Sequence, residues 1–564
     1  MKETTTPRSA LRRLFRLLKE EGQEVTHMYV FAIFSGIVAL SLPLGIQSVV
    51  NLVMSAQLSA SWVLLVTLVI IGTMLAGLIT LLQTAVLEKI QQSIFAKSAF
   101  ELSYRFPRIE SELSEKYYLP EIANRFFDTV TIQKGLSKIL ISLSSGSVQI
   151  LFGLILLVLY HPVFIVFGVF LVGIIIAILA VTFRAGLESN YAESKHKYAM
   201  AHWLEELGRN QLTFKLAGNS ALALGKTNNR IEEYLKYRKK HFKVLILQGG
   251  LLVLYKVLIT GGLLILGSIL ILDNQINIGQ FVAAEIIIIL ILGSVEKLIE
   301  SMEPLYDVLT AVEKIGYVTD LPLDKSTENI APITTKNSAL SLQIKDLNFK
   351  YESRDKYSLS HISLNIGKGE KWCIYGANSS GKSVLLKVIA GVYDSYEGSI
   401  SADGISLRNI DKCTWQKSLG AHFNREYIFE GTVEENIMLK RPWLNAEDLL
   451  DVMQVTGLEE DISHWKDGYR TMLMTEGKNI SKSLVSKILL CRAMVGRPPL
   501  LLLEDNLFDM AQEEADAIMQ HLVSCNATII MVSRRASMMR KFPSIAMIES
   551  GVLSFAGANN LYNS

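Results

Sequence analysis

The chain has 564 residues, half of them hydrophobic, and a mean hydropathy of +0.31. That is too apolar for an ordinary soluble enzyme and points to a part embedded in a membrane. A formal net charge of +2 gives no electrostatic footprint for nucleic acid, so no nucleic-acid partner is expected. The four cysteines, Cys373, Cys413, Cys491 and Cys525, all fall from residue 373 onward with no Cys-x-x-Cys spacing. This argues for reduced thiols in a cytosolic part, against a disulfide framework or a zinc site.

The opening stretch, "MKETTTPRSALRRLFRLLKEEGQ", is charged and lacks the apolar core of a signal peptide. Leu11, Leu14, Phe15 and Leu18 recur at helical spacing among Arg12, Arg13, Arg16 and Lys19. Residues 1–27 therefore read as a basic amphipathic cytoplasmic segment, lying on the inner membrane surface or packed on the protein itself. A bilayer core of about 30 Å needs roughly 20 apolar residues in a helix. Six stretches qualify, near 28–53, 61–87, 138–160, 163–183, 247–272 and 279–300. Only His161-Pro162 separates the third from the fourth, and the Ile-rich sixth reads as a span by its length.

Segments 54–60, 161–162 and 273–278 carry no Lys or Arg, whereas the N-terminus, 88–137 and 184–246 carry many. Both termini and both long loops are thus expected in the cytoplasm, and the small outer loops fit a bacterial inner membrane. The long loops are helical in pattern, so the helices should run on into the cytosol. Pieces 118–136 and 212–235 read as docking elements for a cytosolic domain or as plain stalk helices. Two charges interrupt the apolar runs. Lys256 is placed to snorkel to the cytosolic interface. Glu285 lies on the outer side, about 15 Å away in depth, too far to pair with Lys256 in one chain. Glu285 is a candidate for contact with substrate or a coupling proton; otherwise it faces the wet outer mouth.

The helical domain is expected over 28–316, a polar linker over 317–340, and an α/β domain over 341–564. The fold class is an all-α six-helix transmembrane domain followed by an α/β P-loop nucleotide-binding domain. The α/β part contains Gly376-Ala377-Asn378-Ser379-Ser380-Gly381-Lys382-Ser383, a match to G-x-x-x-x-G-K-[ST]. "KWCIYG" before it reads as a buried strand and "SVLLKVIAG" after it as a helix, the setting such a loop requires. Its glycines let backbone N–H groups turn to phosphate oxygens, and the helix N-terminus adds positive charge. Lys382 would reach the β- and γ-phosphates of ATP, and Ser383 would hold Mg²⁺.

Six spans, a linker and this domain resemble a half-size ATP-binding-cassette (ABC) exporter with the type-1 transmembrane domain. Further stretches carry the resemblance: "LNFKY" ending at Tyr351, "GVYDSYEGSISADGISL" (391–407), "IFEGTVEENI" (428–437) and "CRAMVGRPPLLLLED" (491–505). The resemblance implies that Tyr351 stacks on adenine. It also implies a dimer, a homodimer or a heterodimer with another ABC half-transporter, in which each nucleotide lies between one domain's phosphate loop and the other's signature.

The sequence departs from the family where hydrolysis is performed. Asn424 stands where a Gln contacts Mg²⁺ and water. The signature is Ile480-Ser481-Lys482-Ser483-Leu484, which keeps its serine for the partner's γ-phosphate but lacks both glycines. Glu504 replaces the metal-binding Asp, and Asp505 replaces the Glu that polarises water. Ser533 stands at the position read as that of the switch His. "NLFDM" departs from the D-loop, leaving Asp509 as its acid only after a deletion. The residues expected to bind ATP are present, and those expected to cleave it are altered. Two functions follow. One is an ATP-driven exporter with slow hydrolysis that moves an unread substrate by alternating access. The other is a hydrolysis-deficient ATP-binding switch or scaffold subunit of a larger secretion assembly, with a periplasmic adaptor among its partners.

Overall fold

The computed structural model describes residues 7–54, 60–114, 119–218, 220–324, 339–352, 354–424, 426–505 and 509–559. Most of the expected linker, 325–338, and D-loop positions 506–508 lie outside them. The chain divides into two compact units, one of residues 1–107 and 118–321, the other of 108–117 and 322–564.

The first unit is helical. It comprises α1 (Pro7–Glu20), α2 (Gly22–Ala39), α3 (Ser41–Met54), α4 (Ala60–Arg105), α5 (Phe127–Tyr160), α6 (Val163–Arg209), α7 (Leu222–Leu272), α8 (Ile278–Glu300) and α9 (Met302–Thr319), with shorter helical pieces such as Leu119–Ala123 and Gln211–Leu216 among the connections. Six helical segments in it are long and apolar enough to cross a membrane. The helices α4, α6 and α7 have 46, 47 and 51 residues. At 1.5 Å per residue each is about 70 Å long or more, over twice the thickness of a bilayer core. The first span breaks at Leu40, because Pro43 has no N–H for the carbonyl of Ala39. The Ile-rich sixth span starts on a capping box: the Asn277 side chain accepts from Gln280 N–H at 2.8 Å, and Gln280 accepts from Asn277 N–H at 2.9 Å. That start and its length commit β-branched residues to helix.

Of the two placements open for the N-terminal segment, α1 packs on its own protein. Ala10 and Leu14 are buried with Val308, Leu309 and Val312 of α9, and Arg13 pairs with Glu313 and Asp320. A second core gathers Leu157, Phe164, Leu171, Ile259, Leu263, Ile287, Ile291 and Val295. Along α4, by contrast, Val63, Leu64, Leu68, Ile70, Ile71 and Met74 are all exposed, an apolar face suited to hydrocarbon. Lys256 meets Glu296 of α8 at 2.7 Å, one of the acids near the end of the sixth span. Glu285 is half-buried.

The piece of the first long loop that joins the second unit is 108–117, upstream of the expected docking element at 118–136. Residues 127–136 instead begin α5, whose Ile132 and Leu136 enter the helical core. Ile109 bridges Leu323 as an antiparallel pair, Asp324 N–H donates to Arg108 C=O at 2.7 Å, and Glu112 accepts from Ser395.

The second unit is α/β. Its strands are β1 (Leu342–Phe349), β2 (Leu359–Ile366), β3 (Lys371–Tyr375), β4 (Glu397–Ala402), β5 (Ile405–Ser406), β6 (Leu419–His422), β7 (Gly431–Thr432), β8 (Met472–Leu473), β9 (Leu500–Glu504), β10 (Thr528–Val532), β11 (Ser544–Glu549) and β12 (Val552–Ala558). An antiparallel sheet runs β2-β1-β4-β5, and a larger one β12-β11-β3-β10-β9-β6. In the larger sheet only the β11–β12 pair is antiparallel. All five residues of β9 and of β10 are buried, as strands covered on both faces must be. Successive side chains alternate between two cores: Leu500, Leu502 and Ile530 enter one, Leu501, Leu503, Ile529 and Met531 the other.

Candidate nucleotide site

Parallel alignment brings the C-terminal ends of β3, β10 and β9 to one edge of the sheet, where open α/β sheets take their ligands. From β3 the chain turns through 376–381 into α10 (Lys382–Ile389). Glycine is required at both ends of that turn. Gly376 has φ +147 and Gly381 φ +102, and an added Cβ would lie 2.1 Å from Ile548 C=O and 2.6 Å from Ser358 C=O. Between them Ser379 takes φ 60, unusual for a residue with a Cβ. Lys382 folds back over the loop. Its Nζ donates to Gly376 O at 3.0 Å, Ala377 O at 2.5 Å and Ser380 Oγ at 3.1 Å. Burial, then the nearby Arg534, holds the ammonium below its ordinary pKa. Its three hydrogen-bond acceptors are neutral, and the charge of Glu504 opposes the lowering. Ser383 is exposed on the first turn of α10.

The other expected residues fall into two groups. Glu504 closes β9 and is 4 % exposed. Its Oε2 accepts from Asn424 N–H at 2.7 Å, while buried Oε1 has no hydrogen-bond partner among the described residues. A buried carboxylate oxygen with an unmet lone pair fits a cation, and Glu504 and Ser383 are the residues that would hold Mg²⁺. Asn424 keeps its side chain exposed. Asp505, the next residue, is fully engaged: Ser533 Oγ donates to it at 2.5 Å, Arg535 Nε at 2.9 Å, and Arg535 Nη2 to its other oxygen. Its N–H bonds Val532 O and Ser533 N–H bonds Ile374 O, which ties the three strand ends together. Arg534 donates to Asn378 of the loop at 2.5 Å.

The remaining two residues lie elsewhere in the unit. Tyr351 follows β1, edge-on to Phe349 at 5.1 Å and to Tyr393 at 5.7 Å, with Arg354 5.2 Å from its ring. Ser481 caps α11 (Lys482–Met494), its hydroxyl accepting from Leu484 N–H at 3.2 Å. Asp509 accepts from Ser486 at 3.4 Å. Sequence reasoning singled out neither Arg534 nor Arg535 as a site residue. Two adjacent basic residues following a strand that leads back to the phosphate loop were the available signal.

A phosphate loop at the head of a parallel sheet, with an acid at the end of a nearby strand, defines a P-loop nucleotide-binding domain. Here it shares a chain with six helical segments long and apolar enough to cross a membrane. Residues 359–507 match the family model for the ABC transporter. The chain is 26 % identical over 288 residues to the alpha-hemolysin translocation ATP-binding protein HlyB of Escherichia coli O157:H7, covering 50 % of this chain and 40 % of that one. It is 28 % identical over 284 residues to a probable ABC transporter ATP-binding/permease protein of Haemophilus influenzae, half of each chain. Against the transport/processing protein ComA of Streptococcus pneumoniae it is 24 % identical over 329 residues, 57 % of this chain and 45 % of that one. The chain thus spans about half the length of the curated relatives it matches. A bacterial Atm1-family ABC exporter solved with ATP bound superposes at a TM-score of 0.82 over 95 % of both chains, with 16 % identity. Residues 359–507 thus match the ABC transporter domain, in a chain with six helical segments long and apolar enough to cross a membrane and with the fold of an ABC exporter.

Proposed function

We propose that this chain is an ATP-binding transporter subunit of the ABC exporter type, working as a dimer in a bacterial inner membrane with both termini in the cytoplasm. The observation that carries the reading is the meeting at one sheet edge of Lys382, hydrogen-bonded to neutral acceptors, and Glu504, whose buried Oε1 has no hydrogen-bond partner among the described residues. Mg-ATP meets both needs. Its phosphates would meet Lys382, and Ser383 and Glu504 are the residues that would hold the metal. Bound Mg²⁺ supplies charge neutralisation on the β- and γ-phosphates. Tyr351 offers an aromatic face to adenine. Ser481 serves the nucleotide of the second chain. ATP binding draws two such domains together and turns the helices outward, carrying a substrate across. The names of the relatives speak of translocation, export and transport, which supports this direction.

Hydrolysis is slow in this reading, because Asp505 is committed to Arg535 and Ser533. The same observation favours the second reading, a switch subunit that binds ATP without consuming it. The test is phosphate release and nucleotide binding by the protein in lipid nanodiscs, beside Lys382→Ala. Turnover abolished in the variant supports the exporter. ATP bound without turnover supports the switch. Equal ATP affinity in parent and variant refutes the site.

A further inference from the structure

The two acids that end β9 differ in what is left to them. Glu504 keeps one oxygen uncommitted. Asp505 is held by Arg535 through both of its oxygens, and Ser533 donates to one of these as well. A carboxylate offers about four lone-pair positions, so at least three are taken. The guanidinium fork matches a carboxylate in plane, and such a two-point contact fixes orientation as well as charge. Arg534 points the other way, to Asn378 of the phosphate loop. The two arginines therefore divide their work: one faces the nucleotide loop, the other restrains the acid.

We infer that Arg535 is a positioning residue that clamps Asp505 and restrains ATP hydrolysis at this site. The inference rests on the ATP-binding reading above. In the reaction, water's oxygen bonds to the γ-phosphorus while the bond to the β–γ bridging oxygen breaks. That bond's electron pair leaves with ADP, and water's proton passes to a carboxylate and on to solvent. Asp505 can accept that proton only through an oxygen free to face the water. With its oxygens held by Arg535 and Ser533 it orients water poorly, and substitution of Arg535 returns one or both of them.

The experiment measures kcat and KM for ATP, with ATP affinity taken separately, in the full-length dimer in nanodiscs. The variants are Arg535→Gln, Arg535→Lys and Arg535→Gln combined with Asp505→Asn. General-base contributions are commonly a hundredfold or more, so a partial release should raise kcat at least about fivefold in Arg535→Gln. KM should stay within about twofold, and the gain should vanish in the double variant. Arg535→Lys, with one point of contact, should fall between. A kcat in Arg535→Gln at or below that of the parent, with ATP still bound, overturns the clamp. So does a gain that survives Asp505→Asn. If Arg535→Gln loses ATP binding through misfolding, Arg535→Lys decides by the same criterion. If the parent itself binds no ATP, the reading beneath falls, and the clamp with it.

Discussion

Replacing Glu504 by Gln tests the metal side of the site without changing its shape. The amide oxygen can still accept from Asn424 N–H, as Oε2 does now at 2.7 Å. What changes is Oε1, buried and without a hydrogen-bond partner among the described residues. In the free state an unmet buried carboxylate oxygen costs about 1–3 kcal/mol, and a neutral amide is the cheaper group to leave there. The variant should therefore unfold no lower than the parent without nucleotide. With Mg-ATP the order reverses. At ATP one hundredfold above Kd, binding stabilises the parent by about 2.7 kcal/mol. A lost metal contact worth a factor of ten leaves the same ATP only tenfold above Kd and about 1.4 kcal/mol of stabilisation. The assay is thermal unfolding in nanodiscs with ATP, with and without Mg²⁺. The whole Mg-ATP shift should shrink by about half, with the loss falling on its Mg²⁺-dependent part. An undiminished Mg²⁺ response in Glu504→Gln, or a lower melting temperature without nucleotide, refutes the argument.

Other outcomes follow from the same geometry. Gly376→Ala places a Cβ 2.1 Å from Ile548 C=O, so it should cost about 2 kcal/mol or more and remove ATP binding, read by thermal unfolding and nucleotide titration. Asp128, 4 % exposed at the start of α5, has its carboxyl pKa raised by burial against the opposing pull of Lys314, Tyr198, Lys197 and Arg125. The folded protein therefore holds this proton to higher pH than the unfolded chain, and stability falls as pH rises from about 4 through the raised value. Asp128→Asn should flatten that decline and melt higher than the parent at pH 7, measured by melting curves between pH 4 and 8. Breaking the Lys256–Glu296 pair with Lys256→Gln or Glu296→Gln should cost about 1 kcal/mol each, whereas the exchange Lys256→Glu with Glu296→Lys should recover most of it. Equal losses in the single variants and the exchange would show that the pair is not the source.

Much of this architecture is legible in the chain because it is local. A run of 20 apolar residues declares a span by itself, and the loop 376–383 carries strand, turn and helix within one short stretch. The two glycines there answer to φ values that few other residues tolerate. Whatever depends on distant residues meeting is not legible. Lys256 could be weighed against Glu285 by depth alone, but its partner Glu296 follows from how α7 and α8 pack. The order of acids at 504 and 505 is plain from the sequence. That one keeps an open oxygen while the other is gripped by Arg535 depends on where β10 ends, thirty residues on. The Pro-marked break at 118–136 left docking element and stalk helix both open, and the apolar positions 132 and 136 serve the helical core. The ten residues upstream carry little periodicity to announce them.

Those ten residues mean that the second unit is not contiguous in time. Residues 108–117 leave the ribosome about two hundred residues before Pro322, so at roughly 5–20 residues per second they wait some 10–40 s for the strands they join. Glu112 and Ile109 have no companions until Ser395 and Leu323 are made. A fragment begun at residue 322 would lack them permanently. The boundary between the two units is therefore crossed three times by the backbone, and a nucleotide-binding domain excised by a single cut is missing a piece of itself.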